Sequence, residues 1–120
     1  MHVLVIDDDS RLRQVLARWL RDSGFSTVAE AADGLEALDL LNSHPPDLIL
    51  TDRDMPRMDG LGFVKILRSR GDRTPIIMLS GHDDPHTLVL AARAGVDSFL
   101  TKPISLEMLS EKILQVTVKC

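Results

Sequence analysis

The amino-acid sequence predicts an α/β fold in three layers, with a five-stranded parallel sheet between two layers of helices. Two observations carry this prediction. Five short runs of apolar, often β-branched residues have the pattern of strands that are buried on both faces. After each run, apolar residues recur every three or four positions, as they do along one face of a helix. Regular alternation of strands and helices implies right-handed crossovers and a doubly wound sheet with five helices.

The first two strand–helix units occupy the N-terminal part of the chain. Residues 3–6 form the first predicted strand, and the helix after it has Ser10 as its N-cap and Gly24 as its stop. The apolar stripe of this helix is Leu12, Val15, Leu16, Trp19 and Leu20. Residues 26–29 form a weaker strand. The stripe of the helix after it is Leu35, Leu38 and Leu41.

The other three units repeat this order. Their predicted strands are residues 48–51, 76–79 and 97–100. The stripe of the third helix is Phe63, Ile66 and Leu67. The fourth helix spans residues 85–94, with Asp84 as its cap and Pro85 at its first position. Ser105 caps the last helix, whose stripe is Leu106, Leu109, Ile113 and Val116.

Composition restricts the function classes. The chain has 120 residues, which predicts a single domain over residues 1–120. A net charge of −4 and an aromatic content of 3% argue against direct binding of nucleic acid. The one cysteine, Cys120, excludes an internal disulfide framework. No apolar run approaches the roughly 18 residues of a membrane span, and no signal-peptide pattern opens the chain, so we expect a cytoplasmic protein without membrane contact.

Polar residues follow four of the five predicted strands. These residues are Asp7, Asp8 and Asp9 after the first strand, Asp52 and Asp54 after the third, Ser80 and His82 after the fourth, and Lys102, followed by Pro103, after the fifth. The carboxyl ends of parallel strands meet at one edge of a sheet, where ligands of such folds bind. We therefore expect acids, a hydroxyl and an ammonium group to converge there.

This set of groups points to phosphoryl transfer. Crowded carboxylates repel one another, and a hard divalent cation relieves the repulsion. Mg²⁺ fits the oxygen ligands, with Mn²⁺ as the alternative ion. Asp52 is the predicted nucleophile, because its strand is expected at the centre of the sheet and an aspartate can carry a covalent phosphoryl group. Lys102 would neutralise phosphoryl oxygens, and Ser80 would donate a hydrogen bond to one of them.

Structural roles compete with this interpretation. The residues predicted to be helix caps or turn residues rather than ligands are Asp9, Asp59 and Asp84. His82 is predicted to be an exposed loop residue, and Ser80 has the alternative of a plain turn residue. Lys102 lies between an apolar strand and Pro103, which favours the site over a solvated surface position.

Five segments of the chain resemble the receiver domain of two-component response regulators, of the kind found in chemotaxis regulators. The segments are VLVIDDDS, AADGLEAL, PDLILTDRDMPRMDG, PIIMLSG and AGVDSFLTKP. They occur in the order and spacing of that family, and the resemblance covers the whole chain. It implies a flavodoxin-like strand order, 2-1-3-4-5. It also implies a phosphorylation-activated signalling switch, which is not an enzyme beyond its own phosphorylation and dephosphorylation.

The resemblance also implies roles for individual residues. The implied metal ligands are Asp7, Asp8, Asp52 and the backbone carbonyl of Asp54, with Asp8 more direct than Asp7. The implied catalytic residues are Asp52 as phosphoryl acceptor, Ser80 and Lys102. The implied switch residues are Ser80 and Phe99, where the family often has a tyrosine. The peptide bond before Pro103 is typically cis in the family.

Partners follow from the same resemblance. We expect a sensor histidine kinase or a phosphotransfer protein as donor, and an output domain beyond Cys120 or a separate partner as target. The signalling surface would be helix four, strand five and helix five, through which a homodimer could also form. Helix four is apolar nearly all round, which fits either packing on the sheet or a partner patch.

Hypotheses remain at the mouth of the site. Arg53 and Asp54 bring a salt-bridging pair there, with the Asp54 carboxylate as a fourth acid near the metal. Asp54 and His82 are predicted to flank the path of attacking water and to modulate the lifetime of the phosphorylated state. The main alternative function is a haloacid-dehalogenase-type phosphohydrolase that uses Asp52 as nucleophile and Asp54 as general acid and base. A flavin-binding module and a constitutive scaffold are further alternatives.

Overall fold

The structure, a computed structural model, describes residues 1–81 and 84–118. The strands are β1 (His2–Ile6), β2 (Thr27–Ala31), β3 (Leu48–Asp52), β4 (Ile76–Ser80) and β5 (Ser98–Thr101). The helices are α1 (Ser10–Asp22), α2 (Gly34–Ser43), α3 (Gly60–Ser69), α4 (Pro85–Ala94) and α5 (Leu106–Thr117). All neighbouring strands are parallel, and their order in the sheet is β2-β1-β3-β4-β5. The predicted fold class and strand order are confirmed.

The sheet separates two apolar cores. Successive side chains of a strand point to opposite faces, so Val3 and Val5 lie in one core and Leu4 and Ile6 in the other. The first core is closed by α1 and α5, and the second by α2, α3 and α4. Both faces of the central strands are thus covered, which is why their sequences are apolar without alternation.

Each helix in the described part of the chain begins at a side-chain cap. The N-cap residues are Asp9, Asp33, Asp59, Asp84 and Ser105. The predicted cap roles of Asp9, Asp59, Asp84 and Ser105 are confirmed. The prediction of Ser10 as the cap of α1 is wrong, because the Asp9 carboxylate accepts the backbone N–H groups of Arg11 and Leu12 and Ser10 is already the first helical residue.

Several element boundaries differ from the predictions. Strand β2 begins one residue and ends two residues later than predicted, and β5 is displaced by one residue toward the C-terminus. Strand β2 pairs only with β1, so its outer residues carry a polar pattern that the apolar signal misses. Val15 belongs to the predicted stripe of α1 but is 56% exposed. No helix among the described residues is long and apolar enough to cross a membrane.

Candidate functional site

The carboxyl edge of the sheet brings the predicted polar residues together. Asp52 and Ser80 are the last residues of β3 and β4, both are buried, and Asp7 follows β1 with no exposed surface. Lys102 follows β5, and its backbone N–H donates to the carbonyl oxygen of Ser80 at 2.7 Å. Convergence at this edge is therefore a consequence of parallel pairing.

A single ammonium group lies between two buried carboxylates. The Nζ atom of Lys102 is 3.3 Å from Oδ2 of Asp7 and 3.2 Å from Oδ1 of Asp52. The Asp7 carboxylate is held on its other side, where Oδ1 accepts the backbone N–H of Asp9 at 2.9 Å. Arg13 donates to the carbonyl oxygen of Asp7 at 2.7 Å. These contacts fix the acids in place and leave one positive side chain shared between them.

The acidic cluster fits a divalent cation. Asp7, Asp8 and Asp52 each offer a carboxylate oxygen, and these oxygens all lie within 4.8 Å of one another. Asp8 is exposed whereas the other two residues are buried, so the cluster opens to solvent on one side. An all-oxygen, acidic donor set of this kind suits Mg²⁺ and disfavours softer transition metals.

The electrostatics of the cluster favour the same interpretation. The pKa of Asp52 is raised to about 6, because burial and the Asp7 charge together outweigh the lowering effects of Lys102 and the backbone N–H of Asp54. Burial also acts against the Lys102 ammonium, but Asp7 and Asp52 together hold its pKa above the ordinary value. The negative charge at this edge exceeds what one ammonium can neutralise, and an added cation would relieve it.

The loop after Asp52 is held by close packing that the sequence interpretation did not include. The backbone N–H of Arg53 donates to the Leu79 carbonyl oxygen at 2.9 Å, and that of Gly60 donates to the Arg53 carbonyl oxygen at 2.9 Å. A Cβ atom at Gly60 would clash with the carbonyl oxygen of Asp52. Gly60 therefore permits α3 to begin directly against the backbone of the central acid. The glycine after a capping aspartate was the available signal.

Other predicted site residues lie further out. The Asp54 side chain is 61% exposed and approaches Arg53 at 3.7 Å, and its carboxylate is outside the three-aspartate cluster found among the described residues. The Asp54 side chain thus lies beside Arg53 and solvent, and its place near a bound metal stays a prediction. The Lys102–Pro103 peptide bond is cis. His82 and Cys120 lie outside the described residues.

Phe99 is half-buried in β5. It packs against the core that α2, α3 and α4 close, and it also borders a cavity of about 350 Å³ between β5 and α5. In helix α4, which the sequence left open between two interpretations, Thr87, Ala91 and Ala94 are buried whereas Leu88 and Val89 are exposed. One side of α4 therefore packs on the sheet, and apolar side chains remain on the other.

A doubly wound parallel sheet with an acidic cluster and a lysine at its carboxyl edge is typical of a class of small regulatory domains. The family to which this chain belongs is the response regulator receiver domain, whose model matches residues 3–114. The resemblance seen in the sequence is thereby confirmed. The chain is a receiver domain of a two-component signalling system.

Mycobacterial response regulators that are similar in sequence support this assignment. The chain is 45% identical over 109 residues to the response regulator MprA of Mycobacterium avium, which covers 91% of this chain and 47% of that protein. The MprA protein of Mycobacterium bovis is 44% identical over the same length and coverage. The chain thus spans about half the length of these curated relatives.

Solved structures have the same fold. The receiver domain of Francisella response regulator 1452 superposes with a TM-score of 0.90 at 35% identity, covering 97% of this chain and 95% of that one. The chemotaxis protein CheY4 of Vibrio cholerae has a TM-score of 0.90 at 35% identity, covering 96% and 97%. A DNA-binding response regulator of the LuxR family from Staphylococcus aureus has a TM-score of 0.90 at 26% identity, covering 98% of each chain.

Proposed function

We propose that this domain is a switch that accepts a phosphoryl group on Asp52 from a histidine kinase, a phosphotransfer protein or a small phosphodonor. One observation carries the proposal: the Lys102 ammonium lies within 3.3 Å of both Asp7 and Asp52, beside the exposed Asp8. Two buried acids that share one lysine are suited to accepting a phosphoryl group and neutralising its charge.

The chain's own residues would act as follows. An Oδ atom of Asp52 attacks the phosphorus, the bond from phosphorus to the donor nitrogen or oxygen breaks, and its electron pair leaves with the donor. Lys102, freed from the charge of the Asp52 carboxylate, pairs with a phosphoryl oxygen. Ser80, buried at the end of β4, donates its hydroxyl to another phosphoryl oxygen.

Asp7, Asp8, Asp52 and the backbone carbonyl of Asp54 would hold Mg²⁺, or Mn²⁺ in its place. The bound cation would supply neutralisation of the negative charge on the transferring phosphoryl oxygens. Asp7 would act mainly through position, because it is buried and already accepts hydrogen bonds from Asp9 and Lys102. Asp8, which faces solvent, would be the more direct ligand.

Phosphorylation would change a surface away from the site. The phosphoryl group adds about −1.5 to −2 charge, and Ser80 would move toward it. Phe99, half-buried beside the cavity between β5 and α5, would then turn inward and alter the surface of α4, β5 and α5. That surface would control an output domain or a partner, or form a homodimer. Sedimentation velocity with and without a phosphoryl analogue tests the homodimer.

The test of the proposed function is labelling by acetyl phosphate with Mg²⁺, followed by intact mass spectrometry. We expect one phosphoryl group on the wild type and none on Asp52→Asn. The matched control is Asp39→Asn, because this exposed aspartate lies on α2, which contributes no residue to the acidic cluster of the described chain. Labelling of Asp52→Asn at the wild-type rate would overturn the assignment.

The same assay separates the switch from a phosphohydrolase. The similar proteins do not support a haloacid-dehalogenase-type enzyme, and the exposed Asp54 carboxylate pairs with Arg53. Sustained turnover of a small phosphomonoester would restore that alternative. Asp54 and His82 are instead proposed to set the lifetime of the phosphorylated state, and Asp54→Asn and His82→Ala should each change the dephosphorylation half-life. Unchanged half-lives in both variants would refute this role.

A further inference from the structure

Arg57 has an unfavourable backbone conformation with a specific side-chain contact. Its φ angle is 64°, and it is the non-glycine residue with positive φ in the described part of the chain. Long side chains avoid this left-handed region, and residues held there mark places where the surrounding structure over-determines the backbone. Both Nε and Nη2 of Arg57 contact Oδ2 of Asp33, at 2.7 and 2.6 Å. The side chain thus spans from the β3–α3 loop to the start of α2.

Asp33 is built to receive this arginine. The residue is 4% exposed, and its Oδ1 atom accepts the backbone N–H of Glu36 at 3.0 Å, which caps α2. The Glu36 N–H and the Arg57 guanidinium hold the pKa of the Asp33 carboxyl below its ordinary value. The carboxylate is therefore charged at neutral pH and uses one oxygen for the helix and the other for the loop.

A second contact joins the same two segments. The backbone N–H of Gly34 donates to the carbonyl oxygen of Met58 at 3.1 Å. The Met58 side chain lies where a side chain at position 34 would be, because a Cβ atom there would come within 2.8 Å of the Met58 Cγ atom. We call the Arg57–Asp33 ion pair and the Gly34–Met58 hydrogen bond the loop clasp.

The loop clasp anchors one side of the β3–α3 loop, and the proposed site lies at the other side of the same loop. That loop, residues 53–59, leaves Asp52 and is closed by the hydrogen bond from Gly60 to Arg53. Within it, the backbone N–H of Asp54 interacts with the Asp52 carboxylate and lowers its pKa. The position of Asp54 therefore depends on where the loop is anchored, and the clasp anchors it to a helix that contributes no residue to the acidic cluster of the described chain.

We propose that Arg57 is a positioning residue, and that its ion pair with Asp33 places the backbone of Asp54 correctly for the cation held at Asp7, Asp8 and Asp52. The inference rests on the proposed function, since the backbone carbonyl of Asp54 is a ligand only in that proposal. The Arg57 side chain is 59% exposed, so its ion pair contributes little to stability. Its effect is on the precision of the loop.

The test uses Arg57→Gly, because glycine adopts a positive φ without strain and only the side chain is lost. We expect the Mg²⁺ dissociation constant, from the Mg²⁺-induced rise in Tm, to increase about threefold to tenfold, which is less than for residues that hold a metal ligand directly, because Arg57 acts through the loop backbone. The Tm without Mg²⁺ should stay within about 2 °C of the wild type, because relief of strain offsets the lost pair.

Three further variants isolate the ion pair. Arg73→Gly removes the same charge from another exposed loop position and should leave the Mg²⁺ dissociation constant unchanged. Asp33→Asn keeps the helix cap but loses the charge, and should weaken Mg²⁺ binding as Arg57→Gly does. The double variant Asp33→Asn/Arg57→Gly should bind Mg²⁺ no more weakly than either single variant, because each single substitution already removes the same ion pair.

A second readout needs no metal. Hydrogen exchange of the Gly34 and Gly60 backbone N–H groups in metal-free protein should accelerate at least about threefold in Arg57→Gly and not in Arg73→Gly. If Arg57→Gly does not fold, Arg57→Asn replaces it, because asparagine tolerates the left-handed region.

The outcomes separate the two levels of the argument. A Mg²⁺ dissociation constant for Arg57→Gly within twofold of that for Arg73→Gly overturns the positioning role and leaves the proposed function intact. Additive losses in the double variant also overturn it, because the two residues would then act independently. A wild-type protein that binds no Mg²⁺ overturns the proposed function and this inference together.

Discussion

The two edges of the sheet differ in how positive and negative groups are balanced. At the carboxyl edge, one ammonium, that of Lys102, is shared by the buried carboxylates of Asp7 and Asp52. At the amino edge, one guanidinium, that of Arg68, meets four oxygen acceptors, of which only one is a carboxylate. It donates to the carbonyl oxygens of Gly95, Asp72 and Thr74 and to the Asp97 carboxylate, at distances of 2.8–3.0 Å.

This difference separates a charged cluster that stabilises the fold from one that is suited to binding a ligand. Around Arg68 each acceptor belongs to a segment that must be tied down: the α3–β4 loop and the α4–β5 turn. The Asp97 carboxylate also accepts the backbone N–H of Ile76 at 2.8 Å, at the start of β4. Satisfied networks of this kind rigidify a fold. At the other edge burial, together with the neighbouring Asp7 charge, raises the pKa of Asp52, and shifts of this kind are typical of ligand-binding sites.

The largest expected effect is at the structural edge. Arg68→Ala should lower the free energy of unfolding by about 3 kcal/mol, because several partly buried oxygens lose their donor at once. Chemical denaturation measures this loss, and acetyl phosphate labelling of the folded fraction should persist. Arg93→Ala, which removes an exposed arginine from α4, is the control and should change stability by less than about 0.5 kcal/mol. Equal losses in the two variants would erase the contrast between the edges.

A smaller effect is expected where α3 meets the chemical edge. Gly60→Ala forces the Asp52 carbonyl oxygen away from a new Cβ atom, which should cost about 2 kcal/mol of stability and slow labelling at least about tenfold. Gly81→Ala is the matched control, because a Cβ atom at Gly81 meets no atom within 4 Å. Denaturation and labelling rates are compared in parallel. A wild-type labelling rate in Gly60→Ala would show that Asp52 still accepts the phosphoryl group when its backbone is displaced.

The smallest effect has the opposite sign and depends on pH. Burial raises the pKa of Asp52 to about 6 from 3.8, so between these values the folded protein keeps a proton that the unfolded chain has released. The contribution of Asp52 to the free energy of unfolding therefore falls as pH rises from about 4 to about 6. Asp52→Asn removes this loss and should be more stable than the wild type by about 1–2 kcal/mol at pH 7 without Mg²⁺, and equal to it near pH 4, after allowance for solvent screening.

The control for that measurement is Asp54→Asn, which removes an exposed carboxylate two residues away. The stability gain at pH 7 should be absent from this variant, because its side chain lies outside the acidic cluster of the described residues. If the difference in free energy of unfolding between Asp52→Asn and the wild type is independent of pH, the proposed contrast in electrostatics between the two edges is wrong.

Much of the site was predictable because the parallel sheet converts sequence position into spatial position. Once Asp7, Asp52, Ser80 and Lys102 follow four parallel strands, they must share an edge. Cap residues were less certain: Asp9 and Ser10 are both good caps, and only the path of the chain out of β1 decides between them. Edge strand β2 was misplaced because a strand with one neighbour has a weaker apolar signal than a central one.

The sequence by itself determined the alternation of strands and helices, since buried parallel strands and amphipathic helices each require their own apolar period. It also determined which side chains stand at the carboxyl edge. Only the tertiary structure decided that the exposed Asp54 carboxylate lies beside Arg53, that Gly60 lies against the Asp52 carbonyl oxygen, and that Arg57 reaches Asp33. These contacts depend on the course of a loop between segments up to 24 residues apart, and no local periodicity encodes that course.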